Sequence, residues 1–116
     1  MNILIIDDEL DILDLLESCI LNISEDYCVL KTQTFHQAQE YISQNKIDFI
    51  LCDFYIDKFE ATIFISWLNQ NSFIIPLCLM SGFMPEVNSL EYPVQIHTLH
   101  KPFDSIMLKL IIEQYK

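Results

Sequence analysis

Four branched apolar residues, Ile3 to Ile6, run without a polar break into Asp7, Asp8 and Glu9. Such a run, with no alternation toward water, reads as a strand buried on both faces, and it puts the acids at its C-terminal end. Beyond them Ile12, Leu15, Leu16, Cys19, Ile20 and Ile23 recur at helical spacing, so the pattern predicts an amphipathic helix from about Leu10 to Ile23. A second strand is expected around Tyr27 to Gln33. Phe35, Ala38, Tyr41 and Ile42 mark a second helix, and the run Phe49 to Cys52 is again a buried strand that closes on a carboxylate, Asp53.

The alternation continues to the end of the chain. Phe64, Trp67 and Leu68 indicate a third helix over about Ala61 to Gln70, and Ile74 to Met80 a fourth strand ending at Ser81-Gly82, although Pro76 is an awkward strand residue. Between Met84 and Pro93 a fourth helix is held to about two turns, since Pro85 suits a first turn and Pro93 disfavours helix just before it. Val94 to Leu99 makes a fifth strand ending near Lys101-Pro102. Asp104 or Ser105 can then cap a last helix with Leu108, Ile111, Ile112 and Tyr115 on one face.

Five buried strands alternating with helices imply an α/β fold, a doubly wound five-stranded parallel sheet with helices on both faces and a short helix four. In such sheets ligands bind beyond the carboxyl ends of the strands. That end gathers Asp7 and Asp8 from the first strand, Asp53 from the third, Ser81 from the fourth and Lys101 from the fifth.

Composition narrows the chemistry. A chain of 116 residues is expected to form one domain, residues 1–116. Its net charge of -11 argues against gripping nucleic acid and suits a cation or a basic protein surface. No leader-like segment opens the chain and no apolar run approaches the roughly 18 residues of a membrane span, so a cytoplasmic protein with no membrane contact is expected. Cys19, Cys28, Cys52 and Cys78 lack CxxC spacing and lie in apolar stretches, as small buried hydrophobes would. Apolar residues are 52 % of the chain, enough that part of the surface is expected to be an interface.

Adjacent carboxylates repel, and a fold that collects them has a cation, a proton or a reaction for them, unless they merely cap a helix. Mg2+ takes oxygen ligands from one or two carboxylates, a role Asp8 and Asp53 can fill with Asp7 acting through water. A carboxylate can also attack phosphorus and form an acyl phosphate. The cation, Lys101 and the Ser81 hydroxyl would then oppose the charge that builds on the phosphoryl oxygens.

The IIDDE segment, Asp53 at the end of FILCD, Ser81-Gly82 and Lys101-Pro102-Phe103 together resemble a receiver domain of the two-component response regulators, over nearly the whole length. The resemblance implies a flavodoxin-like strand order, 2-1-3-4-5, and a cytoplasmic phospho-acceptor. Asp53 would be phosphorylated by a histidine kinase or a histidine phosphotransfer protein. Asp8, Asp53 and the backbone carbonyl of Tyr55 would hold Mg2+, with Asp7 in support. Ser81 and Lys101 would contact the phosphoryl oxygens, and the Lys101-Pro102 peptide would be cis. Tyr55 and Phe83 would govern water access to the acyl phosphate, and two bulky rings there imply slow hydrolysis.

Several positions depart from the family's pattern. Proline four residues after the acceptor and glycine eight after are replaced by Asp57 and Ala61. Asp57 is a ligand, a repeller or simply solvated. The switch aromatic three residues before the lysine is Thr98, with His97 beside it. These departures keep open a degenerate receiver, a phosphorylation-independent binding module with the same fold. An aspartate-nucleophile hydrolase is the other rival, but that class wants its two acids two residues apart after the first strand. For output, Ile106, Met107 and Leu110 lie off the core stripe of the last helix. That helix is expected to join an effector protein or a second copy as a homodimer, the alternative being that these residues fold back on helix four or strand five.

Overall fold

The computed structural model describes residues 1–82 and 91–115. Phe83 and most of the span expected to hold the short fourth helix lie outside the described residues. The main elements are β1 (Asn2–Ile6), α1 (Leu10–Ile23), β2 (Cys28–Thr32), α2 (Phe35–Gln44), β3 (Phe49–Asp53), β4 (Tyr55–Ile56), β5 (Phe59–Glu60), α3 (Ala61–Gln70), β6 (Leu77–Ser81), β7 (Ile96–His100) and α4 (Ser105–Glu113). Strands β2-β1-β3-β6-β7 form one sheet in that order, every pair parallel. This is the doubly wound order expected, with β6 and β7 as its fourth and fifth strands.

The apolar runs divide by parity. Ile3, Ile5, Phe49, Leu51, Cys78 and Met80 face one way and pack with Leu13, Leu16 and Ile20 of α1 and Leu108, Ile111 and Ile112 of α4. Leu4, Ile6, Ile50, Cys52, Leu77 and Leu79 face the other way and pack with Ala38 and Ile42 of α2 and Phe64, Ile65 and Leu68 of α3. Side chains alternate across a strand, so a run that is apolar at every position needs a helical layer on each face, and it has one.

Local chemistry sets the helix ends. Thr34 caps α2, its hydroxyl accepting from the Gln37 N–H at 3.1 Å while Gln37 Oε1 accepts from the Gln33 N–H at 3.1 Å, and Asp104 caps α4 through the Ile106 N–H at 2.8 Å. Glu9 occupies the N-cap of α1 without a side-chain hydrogen bond, so neither Asp7 nor Asp8 serves as that cap.

Four details differ from the sequence pattern. The buried line of α1 runs through Leu13, Leu16 and Ile20, so it keeps Leu16 and Ile20 of the expected stripe but takes in Leu13 and leaves out Leu15. Leu15 is half-exposed, while Ile12, Cys19 and Ile23 flank the line as partly buried neighbours. A helix this rich in apolar residues offers more than one plausible stripe, and contact with both the sheet and α4 selects among them. Cys52 and Cys78 are buried as expected, Cys19 is intermediate, but Cys28 is exposed, because it opens β2 at the sheet's edge. Strand β6 begins after Pro76, which has no N–H for the ladder yet lends its carbonyl to the Ile50 N–H at 2.9 Å. Strand β7 starts at Ile96 because its partner β6 starts opposite, at Leu77.

His97 and Thr98 point to opposite faces of β7. His97 is buried beside α4, where its Nε2 meets the Tyr115 hydroxyl, and burial lowers its pKa below the ordinary 6.5. Thr98 is exposed. His97 therefore cannot stand in on the face where the family's switch aromatic would lie.

Phe64 is 1 % exposed and stacks on Phe35 with ring centroids 5.2 Å apart, whereas its neighbour Ile63 is 59 % exposed. In denaturant titration Phe64→Ala should lose about 3–5 kcal/mol and Ile63→Ala no more than about 0.5 kcal/mol. Equal losses would mean that α3 buries a different face.

Candidate functional site: an acidic cluster closed by Lys101

Strands β1 and β3 are neighbours at the centre of the sheet, so the residues that follow or end them meet. Asp7 succeeds Ile6, and its amide still extends the sheet, donating to Thr32 O at 3.1 Å. Asp53 is the last residue of β3. Asp8, one residue on, turns toward the same mouth. Oxygens of Asp7, Asp8 and Asp53 all lie within 4.8 Å of one another, with Asp7 buried, Asp53 intermediate and Asp8 exposed.

Lys101 arrives from the far side, just past β7. Its amide donates to Ser81 O at 2.9 Å, which fixes the chain end against β6, and the Lys101-Pro102 peptide is cis. From there the ammonium reaches Asp7 Oδ2 at 3.0 Å and Asp53 Oδ2 at 3.3 Å. The other oxygen of Asp7 accepts the Glu9 N–H at 3.0 Å, a local turn bond of the kind Asp makes two residues along. A fully buried carboxylate is thereby held by a cation and a backbone donor, which burial requires.

Charge does not balance here. Three carboxylates face one ammonium, so two negative charges are uncompensated. Burial raises the pKa of Asp53 from its ordinary value; Lys101 opposes this, and the charges of Asp7 and Asp8 add to the rise. For Lys101, burial pulls the pKa down, but the Asp7 hydrogen bond and the Asp53 charge outweigh it, and the ammonium is held above its ordinary value. A set of hard oxygen donors with a deficit of two charges fits a divalent cation such as Mg2+.

Ser81 ends β6 in a buried position beside this group. Tyr55 lies two residues past Asp53 in β4, its side chain about half-exposed and its ring packed edge-on against Phe54 with centroids 4.8 Å apart. The sheet thus brings Asp7, Asp8, Asp53, Ser81 and Lys101 to one end.

The sequence pattern missed the short antiparallel ribbon after β3. Strands β4 and β5 pair Tyr55 with Glu60 and Ile56 with Phe59, and Asp57 turns between them with φ 58°. The Asp57 side chain is exposed and stands outside the three-carboxylate cluster, while its N–H donates to Asp8 Oδ2 at 3.1 Å. Proline has no N–H, and its φ is fixed near -65°, so the departure at this position is what permits that bond. A backbone donor carries no side-chain signature, and only the left-handed tolerance of Asp hinted at the turn.

The chain belongs to the family of the response regulator receiver domain, whose model matches residues 3–113. Its fold is similar to the signal receiver domain of a putative Luxo repressor protein from Vibrio parahaemolyticus, at 19 % identity and a TM-score of 0.85 over 98 % of this chain and 88 % of that one. The signal receiver domain of an HD domain-containing protein from Pseudomonas fluorescens Pf-5 superposes at 0.84 with 18 % identity, covering 98 % and 92 %. A CheY-like response regulator receiver domain protein from Methanospirillum hungatei JF-1 gives 0.83 with 22 % identity, covering 97 % and 90 %. At these identities the likeness is one of fold. No curated protein matches the chain significantly. Among the described residues no helix is long and apolar enough to cross a membrane.

The raised pKa of Asp53 means that its ionised form is less favourable in the fold than in the unfolded chain. Asp53→Asn should therefore raise the thermal midpoint in EDTA by a few degrees, the change that about 0.5–1 kcal/mol produces in a chain of this size. The gain should shrink when Mg2+ is added, because the ion would stabilise the native Asp53 protein more than the variant. Differential scanning calorimetry of both proteins, with and without the ion, measures this.

Proposed function

We propose that the chain is a phospho-acceptor that receives a phosphoryl group on Asp53 from a histidine kinase or a histidine phosphotransfer protein and, once modified, changes a protein-protein contact. The observation that carries this reading is the Lys101 ammonium bridging Asp7 and Asp53 beside Asp8. A binding module without phosphoryl chemistry has no need to gather three carboxylates at one end of the sheet with a lysine bridging two of them.

In the step proposed, an Asp53 carboxylate oxygen attacks phosphorus, the bond from phosphorus to the donor's imidazole nitrogen breaks, and the imidazole leaves with its electron pair to take up a proton. An acyl phosphate remains on Asp53. Lys101 would turn part of its contact from Asp53 to a phosphoryl oxygen, and the Ser81 hydroxyl would donate to another. Asp8 and Asp53, with the Tyr55 carbonyl and with Asp7 in support, would hold Mg2+. Bound there, the ion would supply positive charge to the phosphoryl oxygens and so ease the approach of one anion to another.

For output, the exposed apolar residues of α4 support the last helix as the contact face. Ile106, Met107 and Leu110 are 67 %, 48 % and 56 % exposed, which supports their standing clear of strand β7, while most of the helix-four span of the alternative lies outside the described residues. An effector protein or a second copy would cover them. A cytoplasmic setting accords with this role.

Intact-mass measurement after treatment with acetyl phosphate and Mg2+ should show one added phosphoryl group, lost in Asp53→Ala and suppressed by EDTA. Full labelling of the variant would overturn the assignment of Asp53. No adduct on the native chain would favour a phosphorylation-independent module, and steady release of phosphate would favour a hydrolase.

Lifetime supplies a separate check. The resemblance gives Tyr55, whose ring is braced on Phe54, the role of limiting the approach of water to the acyl phosphate, so Tyr55→Ala should shorten the half-life of phospho-Asp53 several-fold in a mass-resolved decay. Equal decay would remove Tyr55 from that role.

A further inference from the structure

Asp7 and Asp53 are both held by Lys101, whereas Asp8 is exposed and forms no ion pair with that ammonium. Among the described residues one hydrogen bond reaches its carboxylate: the Asp57 N–H, donating to Oδ2 at 3.1 Å across 49 positions of sequence. Asp57 makes it from a left-handed backbone conformation, φ 58°, at the tip of the β4–β5 ribbon. Few residues with a β-carbon adopt that conformation, and Asp and Asn are among those that tolerate it. The ribbon itself is anchored next to the site, since the Ala61 N–H donates to Phe54 O at 2.7 Å and Ile56 is 2 % exposed.

We propose that the backbone amide of Asp57, and not its carboxylate, is a positioning group for the divalent-ion site. It pins Asp8 through one oxygen and leaves the remaining lone pairs of that carboxylate to the cation. Without the amide, an exposed Asp8 samples rotamers that point to solvent, and binding has to restrict them. With it, the third carboxylate is placed before the ion arrives. Donors that orient a metal-ligating side chain typically contribute about 10-fold to 100-fold in affinity. The inference rests on the Mg2+ reading given under Proposed function.

Calorimetric titration of MgCl2 into the whole unphosphorylated chain tests it. Asp57→Asn and Asp57→Gly keep the N–H and accept a positive φ, so both should bind within about threefold of the native protein; Asp57→Pro, with no N–H, should bind at least about tenfold more weakly. Native affinity in Asp57→Pro would overturn the proposal, as would Asp57→Asn weakened as much as Asp57→Pro, which would assign the effect to the carboxylate. A native chain that binds no Mg2+ would overturn the ion reading together with this one. Should Asp57→Pro fail to fold, amide hydrogen exchange by NMR decides. The Asp57 amide should be protected in the native chain and lose that protection in Asp8→Ala; equal exchange in the two would show that the bond does not hold Asp8.

Discussion

Lys101 bridging Asp7 and Asp53 is the contact on which the upper end of this sheet depends. The strand order makes β1 and β3 neighbours, so acids at their ends are forced together, and one of them is fully buried. A buried carboxylate without a cation is among the costlier features a fold can carry, about 3–5 kcal/mol when its partner is removed. The ammonium comes from just past the edge strand β7, two strands from β3 and three from β1, and passes over the end of β6 to get there. Placement of Lys101 therefore relies on the register of β6 with β7 and on the amide bond from Lys101 to Ser81. Electrostatics at the mouth and hydrogen bonding along the far edge of the sheet are a single arrangement.

That arrangement is only partly neutral, and the residual negative charge is what suits the site to a cation. One ammonium holds Asp7 and Asp53 and the Asp57 amide holds Asp8, so three acids share a single positive charge and two negative charges stay uncompensated. Full compensation by a second lysine would give a more stable domain with nothing for a cation to do. The rise in the Asp53 pKa, caused first by burial and then by its acidic neighbours, is the physical trace of that compromise.

Much of this was legible in the order of residues. The runs Ile3–Ile6 and Phe49–Cys52, apolar at every position, could only be strands covered on two sides, and the structure divides them between two helical layers. The bounds of α1 and α3 came out as the spacing indicated. Acids, hydroxyl and ammonium at successive strand ends marked the site, because a parallel sheet brings those ends together. What escaped notice depended on tertiary choices or on the backbone. Which of several apolar lines α1 buries is decided by α4 as much as by the sheet. Cys28 sits in an apolar stretch yet is exposed, since edge position outweighs local hydrophobicity. The β4–β5 ribbon lacks the Asn-Gly or Asp-Gly turn that announces a hairpin, and the donor it offers Asp8 is an amide common to every residue but proline.

The pairing of His97 with Tyr115 acquires a different meaning beside Lys101. Both His97 and the chain entering α4 belong to β7 or its immediate extension, so this one strand grips α4 at each end: through the 101–104 segment where the helix begins, and through the Tyr115 hydroxyl where it finishes. A rod clamped at both ends to the same beam cannot tilt independently of it. Any displacement of β7 itself would accordingly carry α4 as a rigid body, and the exposed Ile106, Met107 and Leu110 would travel with it as one plate.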